Sequence, residues 1–468
     1  MQSEGLFIPP ERATPTNPTT SAAMGFQWDC IPADVFVGIL HRLPPSPRRR
    51  LRLVCRHWRN VIDDRTPHPQ SRAKVLAFAA GTTVGSSHAY VVDDLTKGRA
   101  GVRDLKLQGC VVGGLGAWGS SLAGTCNGLL CLRREDGDVV VVNPVTGEKL
   151  AVPPPPSKTS GKCLTRSSSY SFGYHPATGL YKVVQVPCDC FDGWAFGAVG
   201  VFTLGDTSWR EVPVAGGSSC LLRFGLVSVD GATYWVSNDA CSLMSFDLSE
   251  ERVAFVTTLP VRVRLGTDTS SWYLTAPDEE RGRLGTEEDD ISCHLTADAR
   301  GRLGLTVSSY NLKRSKKTEV WMLEEGGRSK QEGTWVLRYK IEDPGHGPLQ
   351  EEIALPHATH GEHVLTTRTQ ARGRTVSLHA HRLSEARMHG SVVRLVESAP
   401  SPPIGQHDEC SGIRTFAYVE TKEPLGLYAL DEEEEIGEHE WSWVWDRRKG
   451  GWKLVPQSSS WSLDIHIN

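Results

Sequence analysis

Val201–Pro213, VFTLGDTSWREVP, reads as a strand, a Gly205-Asp206 turn and a second strand opened by Trp209. The pattern returns along the chain. Val320-Trp321-Met322-Leu323 leads through a longer turn to Trp335-Val336-Leu337, and Val444-Trp445-Asp446 leads to Trp452-Lys453-Leu454-Val455-Pro456. Met244–Leu248 followed by Glu251–Pro260 is a relative without the tryptophan. One such hairpin cannot bury its apolar face alone, so repeated copies predict stacked antiparallel units: a β-propeller or a large sandwich. Roughly 390 residues at about 40–50 per blade allows up to eight blades.

Between these copies lie further strand-like runs: Tyr181–Val186, Leu226–Val229, Thr233–Val236, Leu303–Val307 and Thr415–Val419. Asp230-Gly231 is a tight-hairpin signal, and Asn143-Pro144-Val145-Thr146-Gly147 is a turn after the β-branched run Val139–Val142. The chain has 468 residues and a net charge of −4, so nothing global draws it to nucleic acid or membrane. No run of about 18 apolar residues predicts a transmembrane helix. Residues 1–25 are polar and Pro/Thr-rich and predict a disordered tail. The 12 cysteines are scattered, many of them in apolar runs such as Leu129–Leu132, which suits a reduced setting in the cytoplasm or nucleus.

Strong helical periodicity occurs once, in Trp28–Asp64. Pro32 suits the first position of a helix and Asp34 its first turn. Val35, Phe36, Ile39, Leu40 and Leu43 then form an apolar stripe, and Pro44-Pro45 ends it. Leu51, Val54, Cys55, Trp58, Val61 and Ile62 form a second. About 40 residues of helix cannot build a full core, and no cysteine pair staples the segment. Much of this apolar surface therefore needs cover from elsewhere, as in a docking module.

The segment resembles an F-box, the family that docks on the Skp adaptor of Skp–cullin–F-box (SCF) ubiquitin ligases. The matching residues are Ile31-Pro32 with Asp34, Ile39–Pro44, and Val54–Arg59 with Val61-Ile62. The resemblance implies adaptor contacts at Ile31, Pro32, Val35, Ile39, Leu40, Leu43, Leu51, Val54, Cys55 and Trp58, with a cullin reached through the adaptor. Gly38 stands where the family often has an acidic residue, and Arg48-Arg49 where apolar residues are common. The rest resembles the F-box-associated domain of plant F-box proteins, a kelch-like β-propeller. Gly124–Cys131, Val142–Gly147, Ser171–Val184, Asp230–Trp235 and Ser245–Leu248 with Glu251 carry that likeness. These are turn residues and strand aromatics, and they name no substrate.

The expected organisation is a mainly β chain: tail 1–25, helical F-box 26–65, linker 66–73, and an antiparallel propeller of six to eight blades over 74–468. The resemblance implies a substrate-recognition subunit of an SCF-type ligase that is not itself catalytic and binds a target protein. The alternatives are a scaffold acting outside a ligase, and a propeller enzyme or sugar-binding propeller. No catalytic constellation, cofactor or metal is expected. Gly114-x-Gly116-x-x-Gly119 lacks the strand and helix that a dinucleotide turn needs. Cys188-Asp189-Cys190 has the wrong spacing for structural zinc. His360-x-x-His363 and His379-Ala380-His381 read as surface or loop histidines. The arginines from Arg48 to Arg59 read as a solvated or adaptor-facing edge rather than a nucleic-acid site, and Trp441, Trp443 and Trp445 as packed sheet aromatics. Stretches that break the repeat are candidate substrate loops: Pro153–Ser169, Cys188–Ala195, Asp268–Glu288 and Asp343–His363.

Overall fold

The computed structural model describes residues 33–40, 42–44, 47, 48, 51, 52, 54–65, 73–79, 88–105, 107, 121–133, 138–155, 168–175, 178–187, 195–265, 272–275, 290–298, 300–310, 316–324, 333–343, 349–370, 376–384, 387, 388, 393–397, 413–429, 441–446 and 451–456. Among the described residues, helices α1 (Ala33–Leu40) and α2 (Arg56–Arg65), with helical residues 47, 48 and 51 between them, precede a chain of antiparallel strands. The strands form six blades.

Blade I contains β1 (Lys74–Ala79), β2 (His88–Val92) and β3 (Val102–Leu105), with β28 (Ile413–Tyr418) as its inner strand. Blade II is β4 (Ser121–Cys126), β5 (Leu129–Arg133), β6 (Val139–Val142) and β7 (Lys149–Val152). Blade III is β8 (Ser168–His175), β9 (Leu180–Pro187), β10 (Ala195–Thr203) and β11 (Arg210–Ser219). Blade IV is β12 (Val227–Val229), β13 (Ala232–Val236), β14 (Ser242–Asp247) and β15 (Arg252–Thr258). Blade V runs from β18 (Asp290–Ala297) through β19 (Leu303–Tyr310) and β20 (Lys316–Glu324) to β21 (Thr334–Asp343), with β16 (Arg262–Leu265) and β17 (Trp272–Thr275) added beside β18. Blade VI comprises β22 (Leu349–Ile353), β23 (Thr359–His360), β24 (His363–Gln370), β25 (Val376–Ser384), β26 (Arg387–Met388) and β27 (Val393–Glu397). A separate two-stranded sheet pairs β29 (Trp441–Asp446) with β30 (Gly451–Pro456).

The core lies between blades. Leu76, Phe78 and Val91 of blade I pack with Leu130 and Val142 of blade II. Phe172, Tyr181 and Val183 of blade III pack with Leu129, Cys131 and Val141 of blade II. Because each blade is covered on both faces, β9 is buried over six consecutive residues rather than alternating.

Hydrogen bonds close the junctions. Thr125 Oγ1 donates to Ala417 O at 2.7 Å, and Thr415 Oγ1 to His357 O at 2.8 Å. Ser171 and Ser228 Oγ atoms lie 2.6 Å apart. Asn127 Nδ2 donates to Tyr181 Oη at 3.2 Å, and Thr296 Oγ1 to Pro356 O. Parallel bridges Asp298–Thr359 and Pro356–Thr415 show neighbouring inner strands running the same way.

The repeat read in the sequence is in phase with the blades. Val201–Pro213 and Val320–Leu337 form the outer hairpins of blades III and V, and Met244–Pro260 that of blade IV. The two tryptophans do one job. Trp209 Nε1 donates to Pro153 O just beyond β7, and Trp335 Nε1 to Thr258 O at the end of β15. Each ties its outer strand to the preceding blade. The third copy is the β29–β30 hairpin. Turn chemistry also matches: Asn127-Gly128 and Asp230-Gly231 are each left-handed at both positions, as a two-residue hairpin requires. Gly205-Asp206 instead lies in a six-residue connection, 204–209, between β10 and β11.

Trp209→Phe and Trp335→Phe keep ring volume and lose the inter-blade hydrogen bond. Each is expected to lower stability by about 0.5–1.5 kcal/mol, measured by urea unfolding with an unchanged slope.

Candidate functional site

The two helices form a small body of their own. Phe36 and Leu40, one turn apart on α1, meet Trp58, Val61 and Ile62 of α2, with Val37, Leu43 and Leu51 packed around them. The Phe36 and Trp58 ring centroids are 4.7 Å apart. Cys55, just before α2, accepts the Trp58 N–H on Sγ at 3.5 Å.

The two apolar stripes thus divide by role. Leu40 is 0% exposed and Trp58 9%, so both side chains are packed into this internal core. Leu43 and Leu51 are half-buried against the same core. Val35, Ile39 and Val54 are 55%, 48% and 54% exposed, and Cys55 is exposed. Val35 and Ile39 are one turn apart, a continuous apolar strip beside the buried Phe36–Leu40 stripe. Ile31 and Pro32 lie outside the described residues.

On the propeller, β1 starts where the helical leader arrives, and Lys74 pairs with Tyr418 at the end of β28. With parallel inner strands, the turns 127–128, 230–231, 298–302 and 361–362 share this leader face. The connections from one blade to the next start and end on the far face. So do the strand ends bounding Pro153–Ser169, Cys188–Ala195 and Asp268–Glu288, stretches that lie largely outside the described residues. Asp343–His363 departs from its reading as a loop. Leu349–Ile353 is a strand, and Ala354, His357 and Ala358 are buried in the inner wall of blade VI. Only 344–348, outside the described residues, connects blades V and VI on the far face.

A central cavity of about 820 Å³ runs between the inner strands, lined by small or hydroxyl residues such as Gly124, Ser171 and Ser228 and by Asp298, Arg300 and His357 toward the leader face. Among the described residues no group of three or more His, Cys, Asp or Glu could hold a metal. The Gly114–Gly119 motif and Cys188–Cys190 lie outside the described residues.

The histidines are not loop residues. His379 and His381 are buried on β25, and His360 and His363 sit on paired strands. His357, which the sequence did not single out, is buried with Nδ1 3.0 Å from Ala297 O and Nε2 3.1 Å from His360 Nδ1. Burial, with His360 beside it, pushes its pKa down to about 3.

Other motif residues also hold the fold together. Lys182, 4% exposed, reaches from β9 to the Leu248 carbonyl and lies 2.6 Å from Glu251, which Arg210 also contacts at 2.8 Å. Burial raises the Glu251 pKa, but Lys182 and Arg210 outweigh it and hold the carboxylate below its usual range. The Cys131 and Cys293 thiols are buried, which pushes each up to about 12 and makes them poor nucleophiles.

Residues 28–69 match the F-box domain family, and residues 119–281 match the F-box associated beta propeller domain. The chain thus carries an F-box segment and, after it, a segment of the F-box-associated propeller type. F-box protein At3g07870 of Arabidopsis thaliana is 25% identical over 36% of this chain and 40% of its own length. F-box/LRR-repeat/kelch-repeat protein At2g27520, also of Arabidopsis thaliana, is 25% identical over 47% of this chain and 58% of its own. The chain therefore spans about half the length of these relatives. Among solved structures, the Myceliophteria thermophila Cps50 (Swd1) β-propeller domain overlays with a TM-score of 0.33 at 11% identity, covering 69% of this chain and 88% of that one.

Trp58→Ala should unfold the F-box, costing about 3–5 kcal/mol, whereas Val35→Asp and Val54→Asp should leave its helical signal and melting temperature within error. Circular dichroism of the full chain checks both. His357 adds a pH signature. Its folded pKa lies below the unfolded value, so the unfolded chain binds the extra proton and stability falls as pH drops below the ordinary histidine range. Between pH 6.5 and 4.5 the melting temperature should fall more steeply in the native chain than in His357→Gln, a difference of up to about 1.4 kcal/mol per pH unit.

Proposed function

We propose that the protein is a substrate-recognition subunit of an SCF-type ubiquitin ligase, an adaptor rather than an enzyme. The observation that carries this reading is the exposure of Val35, Ile39 and Val54 on a body with its own small core. An apolar strip that its own fold leaves uncovered suits a Skp-type adaptor. Cys55 is exposed beside Val54 in sequence, while Phe36, Leu40 and Trp58 form the core behind the α1 strip. A cullin joins through the adaptor.

The far face of the propeller takes the target protein. Blade strands are committed to packing, so variable contacts come from the connections between them. Holding a target near a ubiquitin-conjugating enzyme makes a bimolecular encounter effectively intramolecular, so no residue of this chain acts as nucleophile. Free buried thiols fit a reduced compartment, cytoplasm or nucleus.

Co-purification from cells tests the first half. The native chain should recover adaptor and cullin, and Val35→Asp combined with Ile39→Asp should lose at least tenfold of both in folded protein. Recovery of adaptor without cullin would instead indicate a scaffold outside a ligase. Replacing residues 154–167, 188–194 or 276–289 by a short Gly/Ser linker tests the second half. At least one replacement should abolish capture of targets stabilised by proteasome inhibition while adaptor binding stays intact.

A further inference from the structure

We propose that residues 419–428 are a latch on the closed ring: they hold β28 in blade I by gripping blades II and III, and the ring opens at the β1–β28 ladder only after they let go.

The need for a latch follows from where β28 sits. It is the inner strand of blade I, so β1 pairs along one edge while the other faces the central cavity, which Ala417 and Tyr418 line. A strand held by a single ladder has about half the backbone hydrogen bonds of a central one, and regions held by fewer contacts open first. One end of β28 is tied to blade VI, where Thr415 Oγ1 donates to His357 O at 2.8 Å. The other end runs into residues 419–428.

That segment crosses three blades. Glu420 contacts Lys74 at 3.5 Å and also Arg103, both of blade I. The backbone passes so close to the Asn127-Gly128 turn of blade II that a Cβ on Gly128 would collide with Val419 O. Asn143 Nδ2, in the β6–β7 turn, donates to Glu423 O at 2.8 Å, and the Leu425 N–H donates to Glu148 Oε2 at 3.0 Å. Leu425 is 1% exposed and belongs to the core between blades II and III, with Leu129 and Tyr181. Tyr428 stands edge-on to Tyr181 of blade III, ring centroids 5.8 Å apart, and its Oη donates to Glu423 Oε1 at 2.8 Å.

The segment is in series with the closing strand. β28 cannot peel away from its Tyr418 end without first breaking the bonds to Asn143 and Glu148 and drawing Leu425 out of a core that belongs to other blades. Three of the gripped atoms, Val419 O, Glu423 O and the Leu425 N–H, are backbone, so the latch works through the path of the chain. Val419 and Asn127 also line the central cavity, so its release opens the cavity wall on the leader face.

Native-state amide hydrogen exchange on the full-length chain tests the latch. Asn143→Asp keeps the Oδ1 that accepts the Val145 N–H and replaces the donor to Glu423 O with a carboxylate oxygen. Leu425→Ala removes the apolar anchor. Each should speed exchange of residues 74–79 and 413–418 at least tenfold, with 232–236 of blade IV unchanged. Tyr428→Phe keeps the ring and loses one hydrogen bond, so it should quicken the same strands by at least twofold. If the two stronger variants unfold the whole ring, Tyr428→Phe alone decides. Faster exchange confined to 421–428, with 74–79 and 413–418 as slow as in the native chain, would overturn the proposal. So would equal acceleration in every blade, because the segment would then stabilise the ring as a whole and not its closure.

Discussion

The ring depends on one strand pairing, β1 with β28. Six residue pairs, from Lys74–Tyr418 to Ala79–Ile413, place the innermost strand of the first blade more than three hundred residues from its neighbour. Until that pairing forms, blade I lacks its inner wall and the interfaces of blades I, II and VI stay open. A charge network marks the same end: Lys74 and Arg103 both contact Asp93 and Glu420. Arg103 holds the Asp93 carboxyl down to about 2. These side chains are about a third or more exposed, so the network contributes more to register than to strength. The apolar fit of Leu76, Phe78 and Phe416 against blade II supplies the strength.

Closure explains why so many motif residues are structural. Lys182 and Glu251 come from blades III and IV and meet only when those blades stack. Asn143 turns its own loop, accepting the Val145 N–H, and also donates to Glu423 O in the segment after β28. Such residues must recur in any chain that builds this ring, whatever it binds. The same logic separates the faces. The leader face carries hairpin turns such as 127–128 and 230–231, while the strands that bound the connections between blades end on the far face.

The hairpin pattern was legible because its physics is local. A β-branched or aromatic run and a turn, with a tryptophan in blades III and V, placed the outer hairpins of blades III to V correctly. Blade VI was not legible. Leu349–Ile353 (LQEEI) and His363–Gln370 (HVLTTRTQ) are polar enough to pass for loops, and only the neighbouring blades bury Ala354, Ala358 and Leu365. In the F-box, periodicity found both apolar stripes but not which members face inward. Val35 and Phe36 are adjacent and equally apolar; the 100° step between them on α1 separates surface from core, and α2 decides which is which. His357 gave no signal, since a histidine three residues before His360 becomes notable only when the Ala297 carbonyl and β28 enclose it.

These features locate the mechanical weak point of the molecule. Hydrogen bonds between neighbouring blades, from Thr125–Ala417 round to Thr415–His357, make the ring one body whose faces keep a fixed relation. Among the described residues, the helical leader has a core of five well-buried side chains, and residues 66–72 separate it from β1 in the sequence. A body that small gains little rigidity from its own packing. Its orientation must come from contact with the ring, or it has none that persists. Whatever geometry the far face imposes on a bound protein reaches the F-box only as faithfully as that contact holds.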